Sequence, residues 1–90
     1  MRVSVIGGSE VDGETYEAAR EVGRLLAQRD HEVVCGGYGG VMEAACRGAS
    51  EAGGHTIGIL KGTDPTEGNE WVETGIATGM GDARNALVVL

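Results

Sequence analysis

The segment Gly36-Gly37-Tyr38-Gly39-Gly40-Val41-Met42-Glu43 places four glycines between an apolar, strand-like run and an amphipathic, helix-like one. Glycine permits positive φ and lets a backbone approach a neighbour closely. The first amides of a helix lack intrahelical acceptors and favour an anion. A strand, a glycine turn and a helix in that order therefore constrain the chain to a βα unit whose turn is able to hold a phosphate.

The flanking sequence repeats the unit. Residues 3–6 form a short apolar run that ends in Gly7-Gly8-Ser9, which reads as a buried, central strand and a tight turn. Asp12 is placed to cap a helix in which Tyr16, Ala19, Val22, Gly23 and Leu26 share one face, ending near Arg29. Residues 32–35 read as the second strand. The helix after the glycine turn starts near Val41, carries Val41, Ala45, Gly48 and Ala52 on one face, and stops at Gly53-Gly54. Residues 55–60 read as a third strand leading into the loop Lys61-Gly62-Thr63-Asp64-Pro65. Residues 71–77 form either a short strand or an extended cover. Beyond the break at Gly79-Met80-Gly81, Asp82 is placed to cap a helix with Ala83, Ala86, Leu87 and Leu90 on one side. Two right-handed βαβ crossovers give an α/β fold: a Rossmann-like, three-layer arrangement with a parallel sheet of order 3-2-1 and two or three helices.

In such a sheet the turns Gly7-Gly8-Ser9 and Gly36 to Gly40 lie at the carboxyl ends of neighbouring strands and converge on one cleft. Glycines that serve only close helix–sheet packing are the simpler reading, but the pairing of two such turns favours a ligand. Neither turn is a dinucleotide fingerprint, since GxGxxG does not follow the first strand and no acidic residue closes the second. Lys61-Gly62-Thr63 lacks Walker A spacing. The formal charge of −7 with a single lysine, Lys61, argues against a nucleic-acid partner. No stretch approaches bilayer-spanning length, so no membrane partner and a cytoplasmic location are expected. Cys35 and Cys46 have no CxxC or His spacing and read as two buried thiols rather than a disulfide or metal site.

Together, Gly36-Gly37-Tyr38-Gly39-Gly40-Val41-Met42-Glu43-Ala44, Gly48-Ala49, Gly53-Gly54 and Gly79-Met80-Gly81-Asp82-Ala83-Arg84-Asn85 resemble the family often labelled "possible lysine decarboxylase". Its members are Rossmann-like and group with the LONELY GUY phosphoribohydrolases and the molybdenum cofactor carrier proteins. The resemblance spans all 90 residues. It implies that Arg84 corresponds to an arginine that assists glycosidic cleavage in the hydrolases. Such proteins continue into a further strand and a Gly-Gly-x-Gly-Thr loop followed by a catalytic glutamate. This chain carries neither, so residues 1–90 are expected to be a single, truncated nucleotide-binding half-domain. Lys61 departs from the proline common in the related loop.

The expected nucleotide- or phosphate-binding residues are Gly7, Gly8, Ser9, Gly36, Gly37, Gly39, Gly40, Val41, Met80 and Arg84, with Arg84 also the candidate catalytic group and no metal ligands. Glu43 suits the dipole of the second helix and is placed to orient a loop or a sugar hydroxyl. His31 and His55 precede strands and fall at the far end of the sheet from the cleft. Trp71 reads as a core or interface anchor rather than a base-stacking platform. Three functions remain open. One is a binding protein for a nucleotide or nucleotide-like cofactor such as a nucleoside monophosphate or molybdopterin-type ligand, with no other cofactor required. The second is a nucleoside 5′-monophosphate phosphoribohydrolase, and the third an inactive fragment. In the order 3-2-1 the first strand leaves an open edge, so a homodimer through that edge or the helices is expected.

Overall fold

A computed structural model describes residues 1–89. Its elements are β1 (Arg2–Ser4), α1 (Gly13–Gln28), β2 (Glu32–Cys35), α2 (Val41–Glu51), β3 (Thr56–Leu60), β4 (Thr74–Ala77), a 3₁₀ turn (Gly81–Arg84) and α3 (Asn85–Val89). The strands form one parallel sheet in the order β1-β2-β3-β4. Val3 pairs with Val33, Val34 with Ile57, and Ile59 with Ile76. The first three strands adopt the expected order, and residues 71–77 resolve into both expected alternatives. Thr74–Ala77 is a fourth strand beside β3. Trp71 and Val72 form the cover, packing on the main core.

Local chemistry sets the element ends. Asp12 caps α1, accepting the Thr15 amide at 2.7 Å. Helix α2 ends at Ala52, and Gly53 takes φ +80° just beyond it. Asp82 does not cap a helix as expected. It lies within the 3₁₀ turn, which Gly79 and Gly81 open at φ +66° and +61°. Leu90 lies outside the described residues.

The main core lies between the sheet and the α1/α2 layer, built on Val33, Cys35, Met42, Ala45, Cys46 and Ala49. The two helices touch backbone to backbone. A Cβ on Gly23 would sit 2.0 Å from the Ala45 carbonyl oxygen, and one on Gly48 would sit 1.8 Å from that of Arg20. Val22, expected on the inner face of α1, is 49% exposed. The buried line runs instead through Gly23 and Ala27, because so close an approach leaves room for glycine and alanine only. The opposite sheet face has a smaller cluster of Ile57, Ile59 and Val88, with α3 tied to β1 by the Ser4 hydroxyl donating to the Val88 carbonyl. Strand β1 is not buried and central as expected; it is the sheet's edge, with Arg2 and Ser4 exposed.

Candidate functional site

A cleft of about 450 Å³ opens at the carboxyl ends of β1, β2 and β3. Each strand contributes where it stops: Gly7 and Ser9 after β1, Gly36 and Tyr38 after β2, and Lys61 after β3, with Arg84 arriving from the 3₁₀ turn. Its position and size fit the general placement of ligands in open parallel sheets.

Arg84 lines the cleft. Its side chain is buried, at 5% exposure, yet no carboxylate pairs with it among the described residues and its Nε has no hydrogen-bond partner. A buried guanidinium normally finds an acceptor, because stripping its water without one costs several kcal/mol, on the order of the penalty for any unpaired buried ion. Its guanidinium carbon lies 5.5 Å from the centre of the Tyr38 ring, and the Lys61 ammonium lies 5.1 Å from the same ring. The ring partly offsets the desolvation of Arg84, while the exposed Lys61 stays solvated. The Tyr38 hydroxyl accepts the Lys61 amide at 2.9 Å and donates to Glu67 at 3.1 Å, which fixes the ring. Lys61 has only a loose contact with Asp82, at 3.9 Å. In a chain of net charge −7, two cations converge on one cleft.

The strand ends and the 3₁₀ turn are tied together by backbone hydrogen bonds. Gly79 donates to the Gly62 carbonyl at 2.7 Å and Gly81 to that of Lys61 at 2.9 Å, which carries Arg84 into the cleft. Asn69 clamps the glycine turn, its amide meeting the Gly37 carbonyl at 2.7 Å and its side chain the Tyr38 carbonyl at 2.8 Å.

Of the residues expected at the site, Gly7, Ser9, Gly36 and Arg84 line the cleft; Gly8, Gly37, Gly39, Gly40, Val41 and Met80 do not. The two glycine turns interlock. The Val41 amide donates to the Gly8 carbonyl at 3.0 Å, and a Cβ on Gly40, at φ +68°, would fall 2.2 Å from that same oxygen. Part of the glycine pattern therefore serves the contact between the turns, and one of the helix amides expected to face a ligand is already bonded. Gly36 faces the cleft for a related reason: a Cβ there would meet Met42 Sδ at 2.7 Å and the Arg84 guanidinium at 2.9 Å.

Tyr38 and Lys61 line the cleft although the sequence did not single them out as ligands. The signal available was the position of Tyr38 inside the glycine turn and of Lys61 at a strand's carboxyl end. Glu43 lies outside the lining and accepts the Tyr16 hydroxyl at 2.7 Å, joining α1 to α2. Burial, and then this bond, push the Tyr16 pKa up. His55 sits at the opposite end of the sheet, between Glu32 and Thr74, as its place before a strand implies. Trp71 packs on the core beneath Arg47, 5.4 Å from its ring centre.

Residues 1–90 match the model of the SLOG cluster4 family. A protein of Archaeoglobus fulgidus, described as uncharacterized, is 44% identical over 89 residues, which are 99% of this chain and 58% of that protein. The molybdenum cofactor binding protein of Rippkaea orientalis superposes with a TM-score of 0.85 at 36% identity, over 92% of this chain and 52% of its own. The molybdenum cofactor carrier protein of Chlamydomonas reinhardtii gives 0.80 at 35% identity, over 100% of this chain and 54% of its own. The chain thus spans little more than half the length of the relatives it matches.

Proposed function

Because this chain belongs to the SLOG cluster4 family, we propose that its cleft binds a small, anionic, nucleotide-like cofactor and holds it without turnover. The observation that carries this reading is Arg84, buried at 5% exposure with its Nε unpartnered and no ion pair to a carboxylate among the described residues. An anionic group of the ligand supplies the missing acceptor. Gly7, Ser9 and Gly36 form the wall against which that group sits, and Lys61 adds a second positive charge at the rim. Candidate ligands are a nucleoside monophosphate or a molybdopterin-type phosphate, the latter suggested by the carrier proteins to which the fold is similar.

Hydrolysis of a nucleoside monophosphate is the alternative. Besides Arg84 it needs a free carboxylate at the glycosidic bond. Glu43 is bonded to Tyr16 outside the cleft, and Asp82 lines the cleft as an exposed carboxylate in only loose contact with Lys61, so binding, which needs no carboxylate, is the better supported reading. We also propose a cytoplasmic location, consistent with two unbonded thiols, and self-association through the free edge of β1. No helix among the described residues is long and apolar enough to cross a membrane.

Thermal unfolding of the chain with a panel of nucleoside monophosphates and a molybdopterin-type ligand, with released base assayed alongside, tests the reading. A ligand bound only by the folded state raises the apparent Tm. One that does so without base release supports a carrier. Released base establishes the hydrolase, and no shift with any anionic ligand overturns both.

A further inference from the structure

Cys35 and Cys46 do not line the cleft, but each stands close in the chain to a residue that does. Their sulfurs are 3.3 Å apart, both side chains are fully buried, and neither is in a disulfide. Cys35 ends β2, so the next residue is the cleft-lining Gly36. Cys46 lies one turn of α2 after Met42, which also lines the cleft. We propose that these two thiols are a reversible redox pair which, on reaction with hydrogen peroxide, closes to a disulfide and reshapes the cleft floor.

The spacing favours this reaction. A disulfide needs its sulfurs at about 2.05 Å, roughly an ångström closer than they stand, which a small shift between β2 and α2 supplies. The pair is asymmetric. Contact with Cys46, then the Gly37 amide donating to its sulfur at 3.3 Å and the nearby Arg84 charge, lower the Cys35 pKa, while the same contact and burial raise that of Cys46. Cys35 adjoins the cleft-lining Gly36 and its sulfur accepts the Gly37 amide, which favours its thiolate, so it is the attacking sulfur. Its thiolate attacks one peroxide oxygen, the O–O bond breaks, and the departing hydroxide is protonated to water. The Cys46 sulfur then attacks the Cys35 sulfenic acid. The S–S bond forms, the S–O bond breaks, and the leaving hydroxide takes the Cys46 proton as a second water. The thiols together lose two electrons, and the peroxide gains them.

Closure must move the cleft, because the floor has no slack. Gly36 and Met42 already touch so closely that a Cβ at Gly36 would lie 2.7 Å from the Met42 sulfur. Drawing α2 toward the end of β2 shifts both residues, and with them the contact to Arg84.

The test treats the chain with hydrogen peroxide, then unfolds it for alkylation and intact-mass measurement, before and after a thiol reductant. The wild type is expected to lose two hydrogens and both alkylation sites, to regain them on reduction, and to melt at a higher temperature when oxidised. In the oxidised protein the amide signals of Gly36 and Tyr38 shift in the NMR spectrum. Cys46→Ala is expected to gain oxygen at Cys35 and to form no internal bond. If that variant fails to fold, as seen by circular dichroism, the wild-type mass and alkylation decide alone. Two thiols still fully alkylatable after peroxide, or a mass raised by oxygen in the wild type, overturn the pair. An internal disulfide that leaves the Gly36 and Tyr38 signals in place overturns its link to the cleft.

Discussion

Arg84 illustrates how a single side chain can be costly to the fold and useful to a site. Since no carboxylate among the described residues pairs with it, replacing it orphans no partner charge there, and Arg84→Met removes a desolvation penalty along with the Tyr38 contact. The expected outcome is a Tm unchanged or higher, with affinity for an anionic ligand lower by about 10- to 100-fold, the value of one charge-assisted hydrogen bond. Calorimetric titration beside a melting curve checks it, and a large loss of stability would assign Arg84 to the core instead. At the other end of the sheet, the hydrogen bond from His55, and secondarily Arg2, holds the Glu32 carboxyl below its usual value of 4.5. A carboxyl depressed in the folded state adds stability above its unfolded pKa and loses that addition as pH falls through its folded one. The contribution is thus complete above pH 4.5 and disappears below it. In His55→Ala the Glu32 midpoint is expected to rise toward 4.5, read by NMR titration of the side-chain carboxyl.

The helix pair α1/α2 shows which elements a sequence discloses and which it leaves to packing. Gly23→Ala and Gly48→Ala drive a methyl into the facing carbonyls of Ala45 and Arg20, and each is expected to cost about 1–3 kcal/mol or more in urea unfolding. Gly13→Ala, with open space at its Cβ but in the first position of α1, is the contrasting case and should leave stability unchanged or slightly higher. Gly53 also faces open space, but its φ of +80° makes Gly53→Ala unfavourable by about 1 kcal/mol. If Gly23→Ala were as stable as Gly13→Ala, the backbone contact between the helices would be wrong. The βαβ order, the Asp12 cap, the Gly53 stop and the cleft at the strand ends were legible, because period, caps and glycine breaks are local signals. The burial line of α1, the pairing of β4 with β3 and the locking of Gly40 onto Gly8 were not. Each depends on contacts between residues distant in the chain, and a glycine written for backbone contact looks the same in sequence as one written for a ligand. The position of Arg84 beside the glycine break allowed it to reach the cleft and the resemblance favoured that over a solvated arginine, while its burial and unpartnered Nε appeared only in three dimensions.

At the scale of the whole molecule, the sheet is covered unequally. Parallel sheets are stable when both faces are packed, and here α1 and α2 cover one face while the short α3 lies on the other. That second face carries Val34, Ile57 and Ile59, with Ile76 46% and Leu87 43% exposed, and none of the residues lining its groove is acidic. In a chain with 14 acidic side chains, this groove, which no acidic side chain lines among the described residues and which also holds Arg2 and His55, is the surface we propose for contact between two copies. The relatives, nearly twice as long, have further chain available for such a face. With these residues alone, a second copy is the available cover. Because each partner carries a formal charge of −7, association should strengthen as added salt screens their mutual repulsion, the opposite of a contact held by ion pairs. Sedimentation at low and high salt is expected to show a dimer that tightens with salt. In the double variant Ile76→Lys with Leu87→Lys, which puts charge on the groove while leaving the main core intact, it is expected to show a monomer. A wild-type chain that stays monomeric and cooperatively folded at every salt concentration would mean that one covered sheet face is enough to hold this fold.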